Sequence, residues 1–139
     1  MTDTQTKPNL LTCDEMIDLG MNVPKMLEDL EDHLGPEAVW KLTGLYGGIE
    51  AHIPHPHKKA QSLAAQQLGD PITDWLYKTY GTGRIKIPLG PHTSRAQKMA
   101  AFRLALLSGK SQRIIAQSLG CSIRTVERAK RELVDAGFL

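Results

Sequence analysis

The chain has 139 residues, of which 41% are hydrophobic and 23% charged, so it is long enough for one domain or two small ones. No apolar run approaches the length of a membrane span, residues 1–7 lack the apolar core of a signal peptide, and the two cysteines lie far apart. This composition excludes a membrane protein and a disulfide-rich secreted protein, and we expect a soluble, cytoplasmic protein with free thiols.

The charge is distributed unevenly along the chain. The formal net charge is only +2, yet residues 1–69 contain 5 Lys or Arg against 10 Asp or Glu, and residues 70–139 contain 12 against 5. Between Arg84 and Arg131 there are 11 basic residues and one acidic residue, Glu127. An acidic front and a basic back indicate separate functions, with the back half as the candidate for nucleic-acid binding.

The first predicted helices cover residues 14–19 and 25–34, the second with an apolar face at helical spacing. An internal repeat follows. Leu34-Gly35, Leu42, Tyr46-Gly47 and Ile53-Pro54 recur 34 residues later as Leu68-Gly69, Leu76, Tyr80-Gly81 and Ile87-Pro88. Each copy is predicted to form a helix, a glycine turn, a short strand and a proline stop. Asp70 is the predicted cap of the second helix.

The strand of each copy shows the alternation typical of a half-buried strand. Ile49, Ala51 and Ile53 alternate with polar residues in the first copy, and Ile85 and Ile87 do so in the second. The two strands could pair within one chain or with their mates in a second chain. Since the apolar faces around the two tryptophans also need burial, we expect a homodimer whose contacts include Trp40, Ile53, Trp75, Ile85 and Ile87.

Catalytic chemistry is not indicated. His52, His55 and His57 lie close together, but prolines stiffen the segment and no cysteine is near, so we predict no metal and no cofactor. Gly81-Thr82-Gly83 precedes a strand rather than a helix and is therefore not a phosphate-binding loop. We expect no enzyme.

Residues 88–93, with two prolines and a glycine, are the predicted hinge between the halves. Residues 1–88 would form an acidic N-terminal region for dimerisation, with repeat copies at 34–54 and 68–88. Residues 93–139 would form the DNA-binding domain. This domain is predicted to begin with a helix that Thr93 or Ser94 caps and that ends near Leu107.

The stretch from Ser111 to Leu133 fits a helix-turn-helix. Ala116 is small where a second helix would cross the first, Gly120 suits a tight turn with positive φ, and Val126 would lock the second helix onto the first. Ile115, Leu119 and Ala129 complete the predicted apolar seam. Ser111 and Ser122 are the predicted N-caps of the two helices.

The outward positions of this motif are basic, as a DNA-binding surface requires. Ile123 and Arg124 would contact base edges in the major groove, and Arg128 a base or a phosphate. Hydroxyl and basic side chains nearby would contact phosphates, and two basic residues of the second strand are candidates for an extra backbone or minor-groove contact. The full predicted set is Lys110, Ser111, Arg113, Ser122, Ile123, Arg124, Thr125, Arg128, Arg131, Arg84 and Lys86.

Residues 70–135 resemble the middle operon regulator family of Mu-like phages, which includes the C activator. The resemblance rests on the strand segment from Tyr80 to Pro88, followed at a similar distance by the motif from Ser111 to Arg131. It implies a homodimeric activator of phage transcription that holds two DNA-reading domains, with RNA polymerase as a further partner. The chain differs from the family in its second strand copy at 46–54 and in Leu107-Ser108-Gly109, where the family has aromatic-Asn-Gly.

The sequence thus predicts a mainly α protein with short β-strands and a C-terminal helix-turn-helix. Its predicted function is sequence-specific regulation of transcription, through double-stranded DNA that is bound at a palindromic site. Two alternatives stay open. One is a phage DNA-packaging protein of the small terminase type, which would form a ring. The other is an interaction adaptor whose acidic half is the functional part and whose helix-turn-helix only anchors it to DNA.

Overall fold

The computed structural model describes residues 9–139, which form two compact units. We call residues 23–92 the repeat unit, and residues 9–22 together with 93–139 the basic unit. The described elements are, in chain order, α1 (Cys13–Asp18), α2 (Lys25–Leu34), α3 (Pro36–Tyr46), β1 (Glu50–Ile53), a 3₁₀ helix (Pro56–Gln61), α4 (Leu63–Leu68), α5 (Asp70–Tyr80), β2 (Gly83–Lys86), a 3₁₀ helix (Gly90–His92), α6 (Ser94–Leu107), α7 (Gln112–Leu119) and α8 (Ile123–Asp135). The chain is mainly helical with a short two-stranded sheet, as predicted. None of the described helices combines the length and the apolar character that crossing a membrane requires.

The repeat unit shows the internal duplication in its backbone. Gly35 has φ 88° and ψ 169°, and its counterpart Gly69 has φ 86° and ψ 163°, values that favour glycine in both copies. The helices that follow, α3 and α5, have 11 residues each. The two copies of the sequence therefore fold in the same way through their helices.

The two strands pair with each other within one chain. They are antiparallel, and Ala51 lies opposite Ile85, its own counterpart at the repeat offset of 34 residues. With the further pairing of Ile49 and Ile87, the ladder is symmetric about Ala51 and Ile85, so the two strands are related by an approximate local twofold axis. The ladder continues past β1 and β2, because the Ile87 N–H donates to the Ile49 carbonyl at 2.9 Å.

The predicted alternation of the strands is confirmed. Ala51 and Ile53 are buried while Glu50 and His52 are exposed. On the second strand, Ile85 is half-buried, Arg84 and Lys86 are exposed, and Ile87, which follows β2, is fully buried. Further core positions of the unit are Leu27, Leu30, Val39, Leu42, Leu68, Ile72 and Leu76.

Two details of the repeat unit differ from the sequence-based expectation. Ile49, which precedes β1, is exposed, although Ile87 on the paired strand is fully buried. Asp70 is not a cap but the first residue of α5, whose N-cap is Gly69, and the helix has no side-chain cap hydrogen bond.

The basic unit includes α1, which the sequence had placed with the dimerisation region of residues 1–88. The Glu15 carboxylate of α1 pairs with the Arg103 guanidinium of α6, and Arg95 Nη2 donates to the Leu19 carbonyl at 3.1 Å. Thr12 and Glu15 form a capping box that holds α1 in place. These contacts between segments about 80 residues apart explain why the domain division differs from a single cut near residue 88.

Candidate nucleic-acid interface

The local geometry of α7 and α8 is that of a helix-turn-helix. Ser111 Oγ accepts a hydrogen bond from the Ile114 N–H at 3.3 Å, and Ser122 Oγ accepts one from the Thr125 N–H at 3.2 Å. Between the helices, Gly120 has φ 69° and ψ 38°, the left-handed conformation that glycine adopts without strain. Both predicted caps and the predicted turn residue are confirmed.

The seam between the two helices is apolar and closely packed. Ile115 and Ala116 of α7 are buried, as are Val126, Ala129 and Leu133 of α8. Leu119, which we had placed in the seam, is instead 40% exposed. It is the last residue of α7, three residues beyond the buried pair that marks the crossing.

The basic side chains of the motif extend into solvent without acidic partners. Among the described residues, none of them lies within 4.0 Å of a carboxylate oxygen, whereas Arg95 and Arg103 of α6 each do. Charges that are not neutralised within the protein are available to phosphates and displace the counterions of a duplex. Within residues 9–139, the basic residues of the motif without an acidic partner are six, all exposed: Lys110, Arg113, Arg124, Arg128, Lys130 and Arg131.

The outward face of α8 presents three arginines and one apolar side chain. Arg124, Arg128 and Arg131 follow one another at spacings of four and three residues, which places them on one side of the helix, away from its buried seam. Ile123, the first residue of α8, is 45% exposed beside them. Guanidinium groups bind guanine O6 and N7, and apolar side chains contact the thymine methyl group.

The hydroxyl side chains predicted to contact phosphates already have structural roles. Ser122 and Thr125 lie 3.0 Å apart through their hydroxyl oxygens, and both Ser111 and Ser122 cap helices. Both serines are exposed, so each oxygen can still meet a phosphate while it holds its helix.

Arg84 and Lys86, the remaining predicted DNA-contacting residues, belong to the repeat unit. They lie on the exposed side of β2, where Arg84 faces His52 and Lys86 faces Glu50 across the ladder. They therefore lie in a different unit from the six exposed basic residues between Lys110 and Arg131.

The predicted dimer contacts fall into two groups. Trp40, Trp75 and Ile85 are half-buried, so part of each side chain is available to a partner. Ile53 and Ile87 are 1% and 0% exposed because they fill the core of the repeat unit. The latter two can support a contact surface but cannot themselves form it.

A cleft between α6 and α8 was not predicted from the sequence. Its volume is about 420 Å³, and Arg95, Lys98 and Arg128 are among the residues that line it. The sequence feature that could have indicated this cleft is the pair of basic residues Arg95 and Lys98. They lie three positions apart in the first turns of α6 and therefore on the same side of that helix.

The histidine cluster forms a second feature, in the repeat unit. The Nδ1 atoms of His55 and His57 are 2.6 Å apart, and the two residues border a cleft of about 810 Å³. Within residues 9–139, no group of three or more His, Cys, Asp or Glu is arranged to hold a metal ion.

Residues 104–139, from the end of α6 through α8, match the family described as "Helix-turn-helix domain". The chain thus contains a helix-turn-helix domain, a class of domain that binds DNA with its second helix in the major groove. No curated protein and no solved structure matches the chain significantly. The family match begins after the strand segment from Tyr80 to Pro88, so it does not extend to the resemblance with phage middle operon regulators.

Proposed function

We propose that this protein is a sequence-specific DNA-binding regulator of transcription. The observation that carries the proposal is the outward face of α8, where three arginines without acidic partners stand on a matched helix-turn-helix domain. A domain of this class is a binding module rather than an enzyme, and its exposed guanidinium groups suit recognition rather than catalysis.

The chain's residues divide by role on the duplex. Arg124 and Ile123 at the start of α8 read base edges, and Arg128, one turn further on, reaches a base or a phosphate. Lys110 and Arg113 before and within α7, together with the two capping serines, contact phosphates and fix the register. Arg131 lies further along α8, where it meets the backbone.

The regulator acts as a homodimer through the repeat unit. Within the described residues, each strand of the two-stranded sheet pairs on one side only, which leaves a free edge. Trp40, Trp75 and Ile85 are half-buried near this sheet and Ile49 is 56% exposed, so apolar area remains for a partner. Two chains would present two recognition helices to half-sites about 34 Å apart or a multiple of that distance.

The resemblance of residues 70–135 to phage middle operon regulators supports an activator of phage or prophage genes. In that role the bound dimer would contact RNA polymerase. Transcription from a promoter that carries the binding site should rise when the protein is added to purified polymerase. A fall in transcription would identify a repressor and leave the DNA-binding role intact.

Selection of duplexes from a random pool tests the proposal. The full chain should enrich one sequence, and that sequence should be palindromic because the dimer has twofold symmetry. Enrichment of no sequence above the starting pool would contradict specific recognition. A single half-site without a palindrome would contradict the dimer alone.

Two measurements separate the regulator from the two other classes of protein, the mass in solution and the effect of a change in the acidic half. A chain of 15.3 kDa should give a particle of twice that mass by light scattering. A DNA-packaging protein of the small terminase type would instead form a much larger ring. An adaptor would lose its function, but not its DNA affinity, when Asp32 and its acidic neighbours in α2 are replaced by their amides, because α2 lies outside the basic unit.

A further inference from the structure

The cleft between α6 and α8 lies beside the recognition helix within the basic unit. Met99 and Phe102 of α6, each 6% exposed, provide apolar surface at its base. Arg95 and Lys98 of α6 and Arg128 of α8 provide positive charge. A cleft that combines apolar and basic side chains fits an anionic ligand that also presents C–H surface.

The charges of this cleft are only partly neutralised. Among the described residues, Lys98 and Arg128 have no carboxylate oxygen within 4.0 Å. Glu132, the one acidic residue of the cleft, lies 4.0 Å from Arg95. Three cations against one carboxylate leave a net positive charge in a volume of about 420 Å³.

The position of the cleft relates it to base recognition. Arg128 lines the cleft and also follows Arg124 by one helical turn, so it joins the cleft to the outward face of α8. A helix in the major groove, which is about 12 Å wide, has a sugar-phosphate strand on either side. Since the cleft borders the same helix as Arg124, it would face one of these strands if α8 occupied the groove.

We propose that the cleft holds the sugar-phosphate backbone of the duplex that α8 reads. The deoxyribose packs on Met99 and Phe102, while Lys98 and Arg95 bind the adjoining phosphates. The Leu19 carbonyl, which accepts a hydrogen bond from Arg95 Nη2, orients that guanidinium, so α1 is a positioning element of the DNA-binding unit. This inference rests on the proposed function, since it extends the same DNA site.

The first test compares Lys98→Ala with Lys78→Ala, an exposed lysine of α5 in the repeat unit. Binding of the full chain is measured by fluorescence anisotropy on the selected duplex and on a scrambled one, at several salt concentrations. Lys98→Ala should weaken both complexes alike, by about fivefold to tenfold at 0.1 M salt, and should lower the slope of log K against log salt by about one. Lys78→Ala should change neither.

A second variant should strengthen binding, which loss of folding cannot do. Glu132→Gln removes the carboxylate of the cleft and should raise the affinity for both duplexes by about twofold or more. Asp135→Asn is the matched control, because Asp135 lies on the same helix but does not line the cleft. Equal gains from both variants would show that general charge, not the cleft, is responsible, and would overturn the proposal.

The two proposals fail in different ways. If the wild-type chain binds no duplex, the proposed function is wrong and the cleft proposal falls with it. If the wild type prefers its selected site while Lys98→Ala retains the wild-type affinity and salt slope, only the cleft proposal is wrong. Methylphosphonate substitution of single phosphates adds a positional check. One neutralised phosphate should weaken the wild type and leave Lys98→Ala unaffected.

Discussion

Two groups of basic side chains, one in each unit, differ in whether they form ion pairs. In the repeat unit, Lys59 Nζ lies 2.9 Å from Asp74 and 3.3 Å from Asp70, and Lys25 pairs with Asp29 at 3.7 Å. The hydrogen bond to Asp74 raises the pKa of Lys59, although burial opposes it and Asp70 adds to it. In the helix-turn-helix of the basic unit, by contrast, Lys110 and the five cations of α7 and α8 have no such partner among the described residues.

This difference shows why net charge alone does not locate a DNA-binding surface. A lysine held by two aspartates is already neutralised locally and has little to gain from a phosphate. An exposed arginine without a partner gains the full interaction, because the duplex releases condensed counterions when it binds. Pairing has to be read together with position, since Arg84 and Lys86 are also unpaired within the described part of the chain but lie outside the helix-turn-helix domain.

The largest expected effect is in the repeat unit. Ile87→Asp places a carboxylate at a side chain that is fully buried, and an uncompensated buried charge costs about 3–5 kcal/mol. We expect the repeat unit to unfold or the dimer to dissociate, as seen by circular dichroism and light scattering. Binding to random duplexes should persist, because the basic unit has its own core.

Lys86→Asp is the control for this prediction. Lys86 immediately precedes Ile87 in the chain but is exposed. An aspartate at position 86 should therefore leave the repeat unit folded and the dimer assembled. Equal destabilisation by the two substitutions would show that the strand does not have the inward and outward sides described above.

The next effect concerns the turn of the basic unit. Gly120→Val forces a β-branched residue into a left-handed conformation, at a cost of about 1–3 kcal/mol. Thermal stability of the basic unit and DNA affinity should fall together. Gly120→Asn is the control, since asparagine tolerates positive φ and should lose much less. A Gly120→Val chain that melts and binds like the wild type would place the turn elsewhere.

The smallest effect compares one basic residue from each unit. Lys110→Ala removes a cation without an acidic partner just before α7, and we expect it to weaken all duplexes alike and to lower the salt slope by about one unit. Lys25→Ala removes a lysine that is paired with Asp29, and the slope should stay unchanged. Titration of binding against salt measures both. Equal salt slopes for the two variants would show that an ion pair within the protein does not decide whether a lysine binds a phosphate.

Local signals in the sequence predicted much of this structure. Ser111, Ser122 and Gly120 were found because caps and turns depend on one residue and its immediate neighbours. The strands were found because alternation is a local pattern with a period of two. The interior face of α8 followed in the same way from helical spacing.

Long-range contacts explain most of what the sequence did not predict. The pairing of Glu15 with Arg103 joins positions 88 residues apart, and no local pattern shows it, so the sequence did not predict that α1 packs against α6. The cleft beside Lys98 exists only once α6 packs against α8. Leu119 has the correct spacing for the seam, but it is the last residue of α7 and stays 40% exposed.

The most direct test of the central claim is the affinity of wild type and Arg124→Ala for the selected duplex and for a scrambled one, at a single salt concentration. Arg124 is exposed and unpaired at the start of α8, so its loss should leave the fold intact and should cost about 1–3 kcal/mol on the selected site. We predict a much smaller loss on the scrambled duplex, so that the preference for the selected site falls. Equal losses on both duplexes would contradict base recognition by this face of α8.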